Sequence, residues 1–317
     1  MSLEERAAVN PPESHDDLMI GRTDRLIALR QFPAFVHLDP EETSAIALRA
    51  RERRFAPGEV LYEEQEPVED VAFIIRGSVK TSSNGKTLRT YGARSVIGSV
   101  PVLAELGAGY GCTAVEPTVA VMLPAEELLD VFEEHFVVVR SALQGLAGQI
   151  LEIRRSMGGT GGFNMANWSD PGEAPPPLDL VGRIAHLRDA MPFAGARMEA
   201  LADLARDVRE ARLEPGDVLW REGDASDAFL FLLHGQVEAK SSSGMDNRFG
   251  PGDVVGSLGT LSGAPRWFDA TCATSVLALR LEDDSLFDVM EDHFDFAMAM
   301  VRSMARGYLS LLEASTQ

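Results

Sequence analysis

The chain repeats itself at a fixed spacing. Arg54, Pro57, Gly58, Val60 and Leu61 return 158 positions later as Arg212, Pro215, Gly216, Val218 and Leu219. Gly77 and Val79 return as Gly235 and Val237, and Gly98-Ser99 returns as Gly256-Ser257. Leu128, Asp130, Val131, Glu133, His135 and Phe136 return as Leu286, Asp288, Val289, Glu291, His293 and Phe294. One offset serves the whole span, so no gap is needed. A match of that length does not arise by chance, and the chain is a tandem duplication. Whatever fold it adopts must be built twice.

The repeated unit is a helix, a set of short strands, then two helices. Asp39-Pro40-Glu41-Glu42 starts a helix: Asp39 is the N-cap, Pro40 sits in the first turn and Glu42 closes a capping box. That helix is expected to run to about Arg51. Arg54 to Tyr62 then reads as strand, Pro-Gly turn, strand, and Val71–Ile75 as an apolar strand ending at Gly77, with Val79–Thr81 continuing it. Asn84-Gly85 is a two-residue hairpin signal. Thr118–Leu123 alternates apolar residues, and helical spacing returns over Ala125–Glu134 and Phe136–Ser156. In the second copy the acidic run Glu282-Asp283-Asp284 marks a helix start, favoured by the helix dipole.

Four segments follow from this pattern. Residues 1–20, charged and without periodicity, read as a disordered, solvated tail. The first unit spans residues 21–156 and the second 180–317. Between them, residues 157–179 form a linker, glycine-rich and flexible at one end and stiffened by Pro175-Pro176-Pro177 at the other. With 45% hydrophobic residues, 317 residues suffice for two real cores.

The formal net charge of −20 repels a polyanion and an anionic membrane surface, so neither nucleic acid nor membrane is an expected partner. The N-terminus lacks the apolar segment of a signal peptide, and no run approaches ~18 apolar residues. Cys112 and Cys272 are not at repeat-equivalent positions and have no metal-type spacing. A reduced, cytoplasmic location is the expectation.

The stretch that carries chemistry is Val254–Thr274. Gly256 and Gly263 bracket a short apolar turn containing Ser257 and Leu258, followed by Pro265-Arg266 and the small-residue segment Ala270–Thr274. Such glycines let the backbone approach a ligand, amides in the turn attract an anion, and a guanidinium fits phosphate. This order resembles the phosphate-binding cassette of cyclic-nucleotide-binding domains. The Pro-Gly before a Val-Leu strand and the apolar strand into Gly-x-Val extend the resemblance over both copies. It implies an α+β fold: two tandem jelly-roll β-rolls, each flanked by N- and C-terminal helices. The tandem arrangement is similar to the regulatory subunit of cyclic-AMP-dependent protein kinase. The bacterial catabolite-activator family has the same ligand domain followed by a DNA-binding domain. This sequence ends after the long helix, so a DNA-binding regulator is not expected.

The resemblance implies binding through Gly256, Ser257, Leu258, Arg266 and Thr271, with Trp267 as a lid or a stacking partner for a purine. The other reading has Trp267 and Phe268 filling the mouth of the roll or a domain interface, and Arg266 as a solvated turn residue paired with Asp269 or Glu222. Both copies depart from the family at the Gly-Glu pair, where the glutamate holds the ribose: here stand Gly98-Ser99 and Gly256-Ser257. In the first copy the arginine position is Ala108. Its candidate residues Gly98, Ser99 and Thr113 are therefore expected not to hold a cyclic nucleotide, because a lost charge-assisted pair costs about 1.5–3 kcal/mol.

No P-loop, nucleophile elbow or metal motif is present, so neither catalysis nor a metal is expected. No cofactor is expected either; a cyclic nucleotide is the one small ligand the resemblance implies. His135 and His293 sit at helix boundaries as capping or packing groups. The last helix carries Phe296, Met298, Met300, Val301, Met304, Tyr308, Leu309, Leu311 and Leu312 on more than one stripe. A protein partner or self-association through that helix is the expectation; the alternative is that the other repeat covers these stripes. The favoured function is a non-catalytic sensor that binds a cyclic nucleotide in the second cassette and relays it to a protein partner. The alternative is a ligand-independent scaffold built from degenerate cassettes.

Overall fold

A computed structural model of the protein describes residues 21–107, 109–157, 176–190, 193 and 196–315. The predicted tail, most of the linker and Ala108 lie outside the described residues.

The first copy opens with α1 (Arg22–Leu29), a 3-10 turn (Pro33–Phe35) and α2 (Pro40–Arg49). Asp39 caps α2 by accepting from the amides of Glu41 and Glu42, and Glu42 returns the bond to the Asp39 amide. The helix stops at Arg49, two residues earlier than its sequence suggests, because Arg51 already pairs with Met122 in a sheet. The strands are β1 (Arg51–Phe55), β2 (Val60–Tyr62), β3 (Asp70–Arg76), β4 (Val79–Ser83), β5 (Lys86–Tyr91), β6 (Val96–Ile97), β7 (Gly111–Ala114) and β8 (Thr118–Pro124). A five-residue helix, α3 (Ser99–Leu103), lies between β6 and β7; α4 (Ala125–Glu134) and α5 (Phe136–Ser156) follow β8.

The second copy has α6 (Leu180–Asp189) and α7 (Met198–Asp207). Its strands are β9 (Arg209–Leu213), β10 (Val218–Trp220), β11 (Ala228–His234), β12 (Val237–Lys240), β13 (Asp246–Phe249), β14 (Val254–Val255), β15 (Asp269–Cys272) and β16 (Val276–Glu282). Its helices are α8 (Ser257–Ser262), α9 (Asp283–Asp292) and α10 (Phe294–Ala314).

Each copy folds as two facing four-stranded antiparallel sheets. In the first their orders are β1-β8-β3-β6 and β2-β7-β4-β5, and in the second β9-β16-β11-β14 and β10-β15-β12-β13. Even the register irregularities recur, at Ile74/Arg76 and at Leu232/His234. The expected continuation of the Val71 strand through Val79 does not occur. Gly77 has φ +89° and turns the chain into the other sheet, and a Cβ there would lie 2.5 Å from Thr118 Oγ1. The predicted Asn84-Gly85 hairpin joins β4 to β5, both residues having positive φ.

The two copies form one body. α5 and α10 pack against each other, and each also reaches the opposite roll. Leu151 of α5 is part of the second roll's core with Trp220, Phe249 and Phe268. Its repeat equivalent Leu309, with Tyr308 and Leu312, closes the inner pocket of the first roll against Tyr62, Tyr91 and Cys112. Arg302 pairs with Glu105, Arg306 Nε donates to Ala104 O at 2.9 Å, and Arg140 of α5 stacks 4.2 Å from the ring centre of Phe287. Burying a Leu or Phe side chain contributes roughly 1.5–3 kcal/mol, so several such side chains lock the copies together.

This corrects the expectation for the last helix. Phe296, Met300, Val301, Met304, Tyr308, Leu309 and Leu312 are buried against the chain itself, and Met298 and Leu311 pack half-buried on the same core, so these stripes are not a free docking face. α5 is long and apolar enough by composition to cross a membrane, which a search for an uninterrupted apolar run does not register. Here its apolar residues, Val139, Leu143 and Ala147 among them, serve the shared core.

Candidate functional site

The second cassette is held by a buried arginine. Arg266 is 4% exposed. Its Nη2 donates to Ala228 O at 2.5 Å, and its Nη1 donates to Thr260 Oγ1 at 3.3 Å and Gly256 O at 3.4 Å. Asp227 Oδ1 lies 3.6 Å from Nη2, and the guanidinium stacks 4.0 Å from the ring centre of Trp220. Burial pulls the Arg266 pKa below the usual arginine range, opposed by the charge of Asp227. Its Nε has no hydrogen-bond partner, and neither do Trp220 Nε1 and Ser226 Oγ nearby.

Arg266 is therefore not a solvated turn residue, and neither expected partner holds it. Asp269 accepts from the Glu222 amide at 2.7 Å and faces Arg221 at 3.4 Å, while Glu222 accepts from Ser242. The chain can approach this closely because Gly256, at φ +91°, has no side chain. A Cβ there would lie 2.6 Å from Arg266 Nη1 and 3.0 Å from the Trp220 ring. The same glycine starts α8, whose first-turn amides have no acceptor within the helix.

Trp267 and Phe268 are buried, at 5% and 2% exposure, and pack with Trp220 and Phe249 inside the roll. The filling role is the one they take; Trp267 also forms part of a cavity wall. That cavity, about 490 Å³, opens beside the cassette. Gly256, Ser257, Leu258 and Trp267 form one side, Met300, Met304 and Gly307 of α10 another, and Ile150 and Arg154 of α5 a third. Gly256, Ser257, Leu258 and Trp267 are thus brought together, with Arg266 behind them.

Thr271 is not brought in. On β15 the inward residues are Ala270 and Cys272, and period-two alternation turns Thr271 to the outer face. Thr113 is displaced for the same reason, between inward Cys112 and Ala114 on β7. Gly98 (φ +90°) and Ser99 start α3 as their equivalents start α8. Tyr62, the counterpart of Trp220, fills the space beside Gly98 and donates to Asp70 O at 2.9 Å. The arginine position Ala108 lies outside the described residues. Cys112 and Cys272 are free and buried, and burial lifts their thiols to about 12 and about 11. Among the described residues no group of His, Cys, Asp and Glu could hold a metal ion.

Two β-rolls, each with a glycine-initiated short helix beside a helix-walled cavity, make a ligand-domain architecture. The family model for the cyclic nucleotide-binding domain matches residues 52–135 and 210–293, the same stretch of each repeat. The chain belongs to the cyclic nucleotide-binding domain family.

Among curated proteins, a CRP-like cAMP-activated global transcriptional regulator of Mycobacterium tuberculosis is 26% identical over 119 residues, 36% of this chain and 53% of that protein. The acetyltransferase Pat of Mycolicibacterium smegmatis is 31% identical over 114 residues, 34% of this chain and 33% of that protein. The chain thus spans about half the length of the first and a third of the second. Among solved structures, the regulatory domain of Toxoplasma gondii PKA with cAMP is 16% identical at a TM-score of 0.35, covering 91% of this chain and 96% of that one. The N-terminal domain of a Streptomyces coelicolor transcriptional regulator is 29% identical at a TM-score of 0.37, covering 41% and 93%.

Proposed function

We propose that this protein is a non-catalytic sensor that takes a cyclic nucleotide or a similar small ligand at its second cassette and relays its presence to a protein partner. The observation that carries this reading is the shared wall of the cavity of about 490 Å³, made by Gly256–Leu258 and Trp267 together with both long helices. A ligand there touches the cassette, α5 and α10 at once, so it favours one packing of the helices over another. A partner that senses the helix arrangement would read the change.

A second reading is favoured by Arg266. Its guanidinium is committed to the chain's own carbonyls, and Trp267 and Phe268 occupy the roll interior. On that reading the paired rolls are a ligand-independent scaffold.

Thermal unfolding with cyclic AMP, cyclic GMP and a cyclic dinucleotide separates the two. A ligand at ~100 times its dissociation constant stabilises by about 2.7 kcal/mol. The informative variant is Gly307→Leu, because a Cβ at Gly307 meets nothing within 4 Å and the new side chain grows into the cavity. A shift in wild type that disappears in Gly307→Leu supports the sensor. No shift with any of the three nucleotides sinks it in favour of the scaffold.

A further inference from the structure

The first copy has a cavity at the equivalent place, and its charge is different. It measures about 380 Å³ and lies between α3, the Pro33–Phe35 turn, α4 and α5. That is within the ~300–1,000 Å³ of small-molecule sites. Its floor is apolar and fully buried: Phe32, Phe35, Phe73 and Phe132. Its rim is polar and open, with Arg89, Arg94, Ser95 and Ser99.

Comparison of the two copies isolates the rim. Arg94-Ser95 stands where the second copy has Gly252-Asp253, and Arg89 stands where it has Asn247. The turn shape is the same in both, with Gly252 at φ +92° and Arg94 at φ +66°. A glycine adopts that shape freely; an arginine there is strained. The first copy thus keeps a strained cation at the mouth of an apolar cavity, in a turn that the second copy builds without strain. Arg89 is held in place by Glu152 at 3.0 Å and lies over the Tyr91 ring. Arg94 has no ion-pair partner among the described residues.

We infer that this cavity binds an amphipathic carboxylate, an apolar chain or ring with one acidic group, with the acid on Arg94 and Arg89 and the body against the four phenylalanines. A nucleotide fits the lining poorly. The phenylalanine floor offers neither donor nor acceptor for a base edge or ribose hydroxyls, and unpaired polar groups there would be costly. This inference does not rest on the second cavity or on the sensor reading.

Titration calorimetry of the full chain with sodium decanoate tests it. Wild type is expected to bind one equivalent, and 1-decanol, which lacks the charge, to bind at least tenfold more weakly. Arg94→Gly is expected to weaken decanoate at least about tenfold, the scale of one charge-assisted hydrogen bond. It should also raise the melting temperature of the free protein by removing the strain, which shows that the variant is folded. Gly145→Leu should abolish binding, since Gly145 lines this cavity and a Cβ there meets nothing within 4 Å. Gly307→Leu, which fills the other cavity, should leave decanoate affinity unchanged. The inference is overturned by no binding in wild type, by equal affinity in Arg94→Gly, or by loss in Gly307→Leu instead of Gly145→Leu. Displacement of decanoate by cyclic AMP at similar concentration would overturn the ligand class.

Discussion

The hydroxyls of Tyr91 and Tyr308 lie 3.1 Å apart, 217 residues distant in sequence, and join the first roll to the last helix of the second copy. Burial is the main cause that raises the Tyr91 phenol, and the neighbouring Tyr308 adds to it, so Tyr91 stays a neutral hydrogen-bonding group at any physiological pH. Tyr308→Phe removes one partner and is expected to cost about 1 kcal/mol. Tyr308→Ala removes a fully buried ring and is expected to cost about 3–5 kcal/mol. The larger change should also uncouple the copies. Differential scanning calorimetry should show one transition in wild type and in Tyr308→Phe, and two in Tyr308→Ala. A single, undivided transition in Tyr308→Ala would show that the helix pair alone holds the copies together.

Arg266 acts as a brace across the second cassette. Arg266→Ala removes the donors to Ala228 O, Thr260 Oγ1 and Gly256 O and the cation over Trp220. The expected cost is about 2–4 kcal/mol, from lost hydrogen bonds, lost stacking and an unfilled space. Arg266→Lys should recover little, because an ammonium cannot span three acceptors in one plane. Urea unfolding of the two variants checks this. If Arg266→Ala leaves the midpoint unchanged, the guanidinium is not structural and is free for a ligand.

The constant offset between the copies made most of the fold readable. Strand, turn and helix signals that are weak once become firm when Pro57-Gly58 and Pro215-Gly216, or His135 and His293, recur in step. Of the cassette, the offset marks only Gly98 and Gly256; Pro265-Arg266 stands where the first copy has Gly107-Ala108 and is legible from the order of residues in the second copy alone. Two things were not. A one-residue difference decides which face of a strand a side chain takes, so the family resemblance points to Thr271 and Thr113 while alternation turns both out of the site. The cross-packing of Leu151 and Leu309 is a relation between copies, and hydrophobic periodicity does not say which surface a stripe covers. One further signal of the site stands in the sequence. Tyr62 and Trp220 keep an aromatic at the same step of the repeat, and both lie against the cassette glycine.

Positive φ and close packing can be separated at two glycines. Gly216 has φ +91° with nothing within 4 Å of a Cβ, while Gly235 has φ +83° with a Cβ colliding with Ser275 O and Val276 Cα. Gly216→Ala is expected to cost about 1–2 kcal/mol, the left-handed penalty alone. Gly235→Ala must also move the backbone of the β11–β12 turn and should cost more than Gly216→Ala by at least ~1 kcal/mol. Chemical denaturation of the pair measures the difference. Equal costs would mean that the turn at Gly235 yields without resistance.

The junction between α9 and α10 is pinned by a histidine–aspartate contact. His293 Nε2 lies 2.9 Å from Asp203 Oδ2 on α7, as His135 lies 3.5 Å from Glu42 on α2 in the first copy. The hydrogen bond from His293, with help from Arg206 and against a smaller desolvation effect, holds the Asp203 carboxyl below the usual aspartate range. A depressed carboxyl contributes stability that is complete above its unfolded pKa of ~3.9 and is lost as pH falls through its folded value. The stability gap between wild type and Asp203→Asn should therefore be fully present at pH 5 and close as pH falls below about 4. Melting temperatures across that range measure it. The pair is only partly buried, so added salt should narrow the gap at every pH above 4. Parallel curves for the two proteins down to pH 2 would show that Asp203 does not pin the junction, leaving the packing of α7 on α9 to hold it alone.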